Sequence, residues 1–204
     1  MKPLILHPDK KKNMTPTVEF HLKIWSKALA LAAVVILMAG CSAKKDNNEN
    51  SNSMELNEKK EIVIKLLAEA LPSGDIDYVR KVVSPRCVTN RAGFAALYAA
   101  TGDPIPQRGN FLQWMETGWA PLSSALGDQK VEMQNIVAEG NKVMAQYHYS
   151  VLHKGTFCGK PATGKRIEWD EVAIIQFDED GMITEMWYMC EELKLALELG
   201  FKLE

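Results

Sequence analysis

The stretch 143-VMAQYHYSVLHKGTFCGKPATGKRIEWDEVAIIQFDEDGMITEMWYMC-190 decides the fold. Residues 143–152, 166–177 and 182–190 are rich in β-branched and aromatic side chains. Turn chemistry separates them: a glycine-bearing loop over 155–164, and Asp178-Glu179-Asp180-Gly181. The first segment alternates, with Val143, Ala145, Tyr147, Tyr149 and Val151 on one face and Met144, Gln146, His148 and Ser150 on the other. The second alternates likewise, Trp169, Glu171, Ala173 and Ile175 against Glu168, Asp170, Val172 and Ile174. A further β-rich run, 131–138, precedes them across the turn Glu139-Gly140-Asn141. Four strands joined by such turns form an antiparallel meander, and its apolar face needs a cover.

That cover lies upstream. From 56 to 71 the apolar residues Ile62, Val63, Leu66, Leu67, Ala70 and Leu71 recur at helical spacing, and Pro72-Ser73-Gly74 ends the pattern. Asp75 suits the N-cap of a second helix burying Ile76, Val79, Val82 and Val83, which Pro85 breaks. Cys87-Val88-Thr89 reads as a short strand, 102–109 as loop and 111–126 as helix interrupted by Pro121. A short helix over 191–199 closes the chain before Gly200. Helices first and a meander afterwards make an α+β fold: N-terminal helices packed on a strongly curved antiparallel sheet, a cone-shaped α+β barrel.

The N-terminal forty residues belong to another kind of segment. Ala28 to Gly40 is 13 residues without a charge, preceded by Lys23 and Lys27. A membrane-spanning helix needs about 20 residues, so the run is too short to cross but suits the apolar section of a secretory signal. Met38-Ala39-Gly40-Cys41 resembles the bacterial lipobox. The resemblance implies cleavage before Cys41, a diacylglycerol on its thiol and a domain held at a membrane of the bacterial envelope. Acylation by more than one chain gives stable anchoring. Residues 1–40 are therefore expected to be signal, 41–55 a polar tether and 56–204 the folded domain; either Met1 or Met14 can be the start. Without residues 1–40 the chain keeps 18 basic and 24 acidic side chains, a net charge of about −6. That balance argues against nucleic acid, which attracts clustered Lys and Arg. Besides Cys41 only Cys87, Cys158 and Cys190 occur, enough for one internal disulfide at most. No metal-binding spacing and no Gly-rich phosphate loop appears, so no metal and no cofactor is expected.

Several motifs converge on one family. His153-Lys154-Gly155-Thr156-Phe157-Cys158-Gly159, Pro161-Ala162-Thr163-Gly164-Lys165 and Asp180-Gly181-Met182-Ile183-Thr184-Glu185-Met186-Trp187 occur in this order, and Leu195 to Gly200 follows. In order and spacing they resemble the SnoaL-like polyketide cyclase or ester cyclase group of the nuclear transport factor two superfamily, over nearly all of 58–201. The resemblance implies a pocket for a small organic molecule, proton-transfer chemistry of a cyclase, isomerase or hydrolase kind, and a homodimer. It puts Glu191 where those cyclases carry an acid/base aspartate. The family's strand histidine falls on Ile174 or Ile175, and Gln146 stands where the family often has arginine. Such a fold equally serves as a non-catalytic binding or assembly module.

The candidate site residues follow from faces and motif positions. Glu191, or Glu185, is the candidate base, and His153 a catalytic acid/base or a hydrogen-bond donor to a ligand carbonyl, or else a residue packing under the glycine loop. Gln146 and His148 line a cavity if the mixed strand face points inward, and solvent if it does not. Trp169 and Trp187 are ligand-binding candidates. Trp187 with Glu185 forms either a pocket pair or a core plug with a satisfied carboxylate. Asp170 or Glu171 is a cavity carboxylate or an exposed strand end, since an acid within an apolar strand must be paired or wet. Trp114, Met115 and Trp119 either roof the pocket or fill an ordinary core.

Overall fold

A computed structural model describes residues 53, 55–90, 95–101 and 107–203. The expected signal, Cys41 and most of the tether lie outside these residues. Residues 55–73 form helix α1, so helix begins inside the last residue assigned to the tether. Its Leu66–Ala70 segment is a π turn. The wider turn keeps Leu66, Leu67, Ala70 and Leu71 all buried. Gly74, at φ 72°, ends the helix where no side chain is easily accommodated. Asp75 then caps α2 (Ile76–Val82), its side chain accepting from the Tyr78 N–H at 3.0 Å.

Val83 was expected to end that helix but begins strand β1 (Val83–Asn90) instead. Pro85 lies inside β1, where the pairing with a neighbouring strand is interrupted between Val83 and Val88. A proline cannot donate to a ladder, and a bulge is where one is tolerated. Helix α3 (Ala95–Thr101) and the three-residue strand β2 (Arg108–Asn110) follow. The expected interrupted helix is two helices, α4 (Phe111–Thr117) and α5 (Trp119–Ala125). The break falls at Gly118 rather than at Pro121. Pro121 sits in the first turn of α5, where its missing N–H has no intrahelical acceptor to lose.

The meander comprises β3 (Leu126–Glu139), β4 (Lys142–His153), β5 (Arg166–Phe177) and β6 (Ile183–Cys190), with α6 (Glu192–Glu198) closing the chain. The six strands stand in the order β2-β1-β6-β5-β4-β3. All neighbours are antiparallel except β1 and β6, which are parallel. The early strand Cys87–Thr89 thus joins the meander at its far edge, a pairing no local pattern announces. Ladder irregularities in β3–β4, between Gly127 and Lys130 and between Met133 and Asn135, mark where the sheet bends. Asp128, at φ 46°, occupies the first of them.

The apolar strand faces turn inward beneath the helices. One core joins α1, α2 and α4 to the sheet through Val63, Leu66, Val79, Val143, Ala145, Ala173, Ile175 and Met186. A second lies at the other end, where Leu97, Val151, Phe157, Ile167, Leu195 and Leu199 pack together. Among the described residues no helix is long and apolar enough to cross a membrane.

Candidate functional site

Between the two cores is a cavity of about 90 Å³. The sheet supplies its floor: Tyr147, Tyr149 and Val151 from β4, Trp169 and Glu171 from β5, Tyr188 from β6 and Thr89 from β1. Leu67 and Leu71 of α1 and Phe111, Trp114, Trp119 and Leu122 of α4 and α5 supply its roof. Tyr98, Leu126 and Gln129 complete it. Register brings the floor together, since Tyr147 lies opposite Glu171 and Tyr149 opposite Trp169. The Tyr149 and Trp169 rings stack 4.9 Å apart and 12° from parallel. In the roof Trp114 and Trp119 meet edge to face at 5.6 Å.

Among the described residues Glu171 is the cavity's one carboxylate, and it is only 8% exposed. The Tyr147 hydroxyl donates to its Oε1 at 2.9 Å and the Trp169 indole N–H to its Oε2 at 3.1 Å. Burial disfavours the charged form and pushes this carboxyl up to about 7, while the two hydrogen bonds pull the other way and only partly offset it. Burial, and then the Glu171 charge, raise the Tyr147 and Tyr149 phenols above their ordinary range, so both stay neutral donors. The Tyr149 hydroxyl donates a hydrogen bond to Gln129 Oε1 at 2.6 Å. Among the described residues, no Lys, Arg or His lines the cavity. A carboxylate poised near neutrality in an aromatic chamber can take or return a proton.

The residues expected from sequence fall in different places. Trp169 is in the cavity, with its indole N–H held by Glu171, and Trp114 and Trp119 form its roof. Met115 packs in the main core and does not reach the cavity. Glu171, one of two alternatives on its strand, points inward. The other, Asp170, faces out and meets His148 Nδ1 at 2.8 Å. Gln146 and His148 are on the same outer face, Gln146 accepting from Asn135 at 2.9 Å. The mixed face of β4 is therefore the outside of the sheet, and its apolar face serves both core and cavity. The reason is geometric: helices close only the concave side.

Glu191 is exposed at the start of α6, outside the cavity. Its Oε2 accepts from the Asp170 backbone N–H at 2.9 Å and from Lys194 at 3.1 Å, and those bonds hold its carboxyl below the ordinary range. It ties α6 to β5. Glu185 accepts from Asn90 Nδ2 at 3.0 Å, and neither it nor Trp187 lines the cavity. His153 is fully buried beneath the glycine loop. Its backbone bonds Lys165 and Gly164, and its Nδ1 lies 3.2 Å from the Thr163 hydroxyl. Gly155 lets that loop pass α5, since a Cβ there would come within 2.9 Å of the Ala125 Cα. The motif from His153 to Lys165 therefore builds a loop and places no side chain in the chamber. Among the described residues no group of three or more His, Cys, Asp and Glu is arranged to hold a metal ion.

Sequence reasoning did not single out Tyr147, Tyr149 or Tyr188 as cavity residues. The alternation that put both β4 tyrosines on one face with Val151 was a usable signal, had that face been taken as the cavity wall.

A family model described as SnoaL-like polyketide cyclase matches residues 61–199. Solved structures share the fold. AclR from Streptomyces galilaeus is 24% identical with a TM-score of 0.55, the match covering 71% of this chain and 97% of that one. Wild-type IdmH from Streptomyces antibioticus is 23% identical with a TM-score of 0.57, covering 70% and 99%. A SnoaL-like polyketide cyclase from Agrobacterium tumefaciens is 17% identical with a TM-score of 0.52, covering 70% and 98%. A comparison with curated proteins finds none that matches.

Proposed function

We propose, from the premise that this chain belongs to the SnoaL-like polyketide cyclase family, that it is an envelope-tethered domain whose cavity holds a small organic molecule and exchanges a proton with it through Glu171. The carrying observation is the placement of Glu171: buried, bonded by Tyr147 and Trp169, and raised to about 7. A base with that affinity for protons is half ionised near neutral pH, where Brønsted behaviour makes proton transfer most effective. In the cyclase or isomerase form of this chemistry a C–H proton beside a carbonyl passes to Glu171. The resulting enolate carbon then bonds to a second carbonyl, whose oxygen takes the proton back from Glu171; in an isomerisation Glu171 instead returns that same proton to a different carbon. Tyr147 and Trp169, each donating to one of its oxygens, hold the carboxyl in place.

The test starts with a ligand search by native mass spectrometry on the full-length protein released from detergent. For a ligand that is turned over, Glu171→Gln is expected to lower kcat at saturation by at least a hundredfold, in the range general acid–base catalysis supplies (~10²–10⁴). Glu191→Gln is expected to leave it within about twofold. Wild-type turnover by Glu171→Gln would remove Glu171 from the chemistry.

The tether rests on the apolar run 28–40 and on Cys41, with the lipid implied by the lipobox resemblance. The intact mass of protein extracted from membranes is expected to exceed that of polypeptide 41–204 by acyl chains, and Cys41→Ser to carry no acyl mass. A bare polypeptide mass in the wild type refutes the anchor.

A second reading, a homodimeric assembly module, is favoured by the outer sheet face. Val137, Met144, Ile174 and Trp187 stand side by side across β3, β4, β5 and β6. Val137 is 62% and Met144 46% exposed.

A further inference from the structure

We propose that the molecule held in this cavity is an organic cation, a compact substituted ammonium group recognised by the aromatic walls together with Glu171. The inference rests on the reading that the cavity is the ligand site and adds the ligand's charge; it does not depend on turnover.

Two features of the chamber point the same way. Half of its lining residues are aromatic, and the planes of their rings take more than one direction: Tyr149 and Trp169 nearly parallel, Trp114 and Trp119 71° apart. Aromatic faces attract cations through the ring quadrupole, most strongly where water is excluded. Into this chamber the fold places a carboxylate with no cationic side chain beside it among the described residues. Among the described residues its hydrogen bonds come from the neutral donors Tyr147 and Trp169. An ionised carboxylate left so is costly unless a positive charge arrives. The neighbours that could change its charge are the phenols of Tyr147, Tyr149 and Tyr188 and the thiol of Cys190, which lies opposite Glu171 on β6. None of them can supply a positive charge.

Neutral apolar ligands would be served by the walls alone and would gain nothing from the acid. Anionic ligands would be repelled by it. Size narrows the class further. A cavity of about 90 Å³ suits a compact head group rather than fused rings.

The probes are choline and its neutral carbon isostere 3,3-dimethylbutan-1-ol, titrated calorimetrically into the full-length protein in detergent at pH 8 and pH 5.5. Choline is expected to bind at least tenfold more tightly than the isostere at pH 8. At pH 5.5, with Glu171 protonated, the preference is expected to fall to threefold or less. Glu171→Gln is expected to remove the preference at pH 8, and Glu171→Asp, which keeps the charge, to retain part of it. Equal or tighter binding of the isostere overturns the cation while leaving the cavity a ligand site. A preference for choline that survives in folded Glu171→Gln overturns the role of the acid, and with it the proposal. If neither probe binds the proposal fails, and the ligand search then judges the cavity independently: a neutral ligand recovered there upholds the site alone, and no ligand at all brings down both readings.

Discussion

Glu171 is the residue whose environment ties the fold to pH. Its carboxyl is raised from an ordinary 4.5 to about 7 in the folded chain. The protonated form is thus favoured by folding, so its stabilising share is complete below about 4.5 and is lost as pH rises through about 7. A shift of this size corresponds to about 3 kcal/mol. Melting curves between pH 5 and pH 8 are therefore expected to show the midpoint falling with pH, and Glu171→Gln to flatten that fall. An equally steep fall in the variant would show that other groups cause it. Glu191, held below its ordinary value, acts with the opposite sign and only in more acid solution, so it does not mask the effect. At this scale sequence and structure agree unevenly. An acid inside an apolar strand was visible as a problem to be solved, and Glu171 solves it with two donors. The motif position that pointed to Glu191 carried no information about direction, and that side chain is spent on the Asp170 backbone.

Among the elements, the roof helices α4 and α5 show how a local break shapes the site. Asn110 caps α4 through the Gln113 N–H at 2.9 Å. Gly118 ends it with Trp114 folded close above: a Cβ on Gly118 would lie 2.7 Å from the Trp114 indole nitrogen and 3.2 Å from its carbonyl oxygen. Replacing glycine by alanine at a permissive backbone angle ordinarily stabilises by about 0.4–1 kcal/mol. Here the φ of −108° permits alanine, but the contact does not. Overpacking of this kind costs about 1–3 kcal/mol. Gly118→Ala is therefore expected to be destabilising by roughly that amount in urea unfolding, and a stabilised variant would mean that Trp114 yields freely. The break was expected at Pro121 because proline disrupts helix interiors. Only the tertiary course of the chain put that proline in a first turn, where it does no harm.

On the scale of the whole molecule, two layers enclose the chamber, and among the described residues none covers the opposite sheet face. The row from Val137 to Trp187 on that face sets the oligomeric prediction. Light scattering of the detergent-solubilised protein is expected to give the mass of two chains, and Ile174→Glu at the centre of the row to give one. A wild-type monomer removes the assembly reading and leaves the cavity untouched. The amino-acid sequence by itself determined the helix-then-meander order and the alternation of each meander strand, because these depend on contacts within a few residues. It also determined that an acid sits among apolar neighbours on β5. Only the tertiary structure decided that β1 runs parallel beside β6, that the apolar face of β4 is also the cavity wall, and that Glu171 rather than Glu191 points inward. Those outcomes depend on which strands meet and which side the helices close. Both are long-range choices, made by burying the whole apolar surface at once, and no window of local sequence contains them.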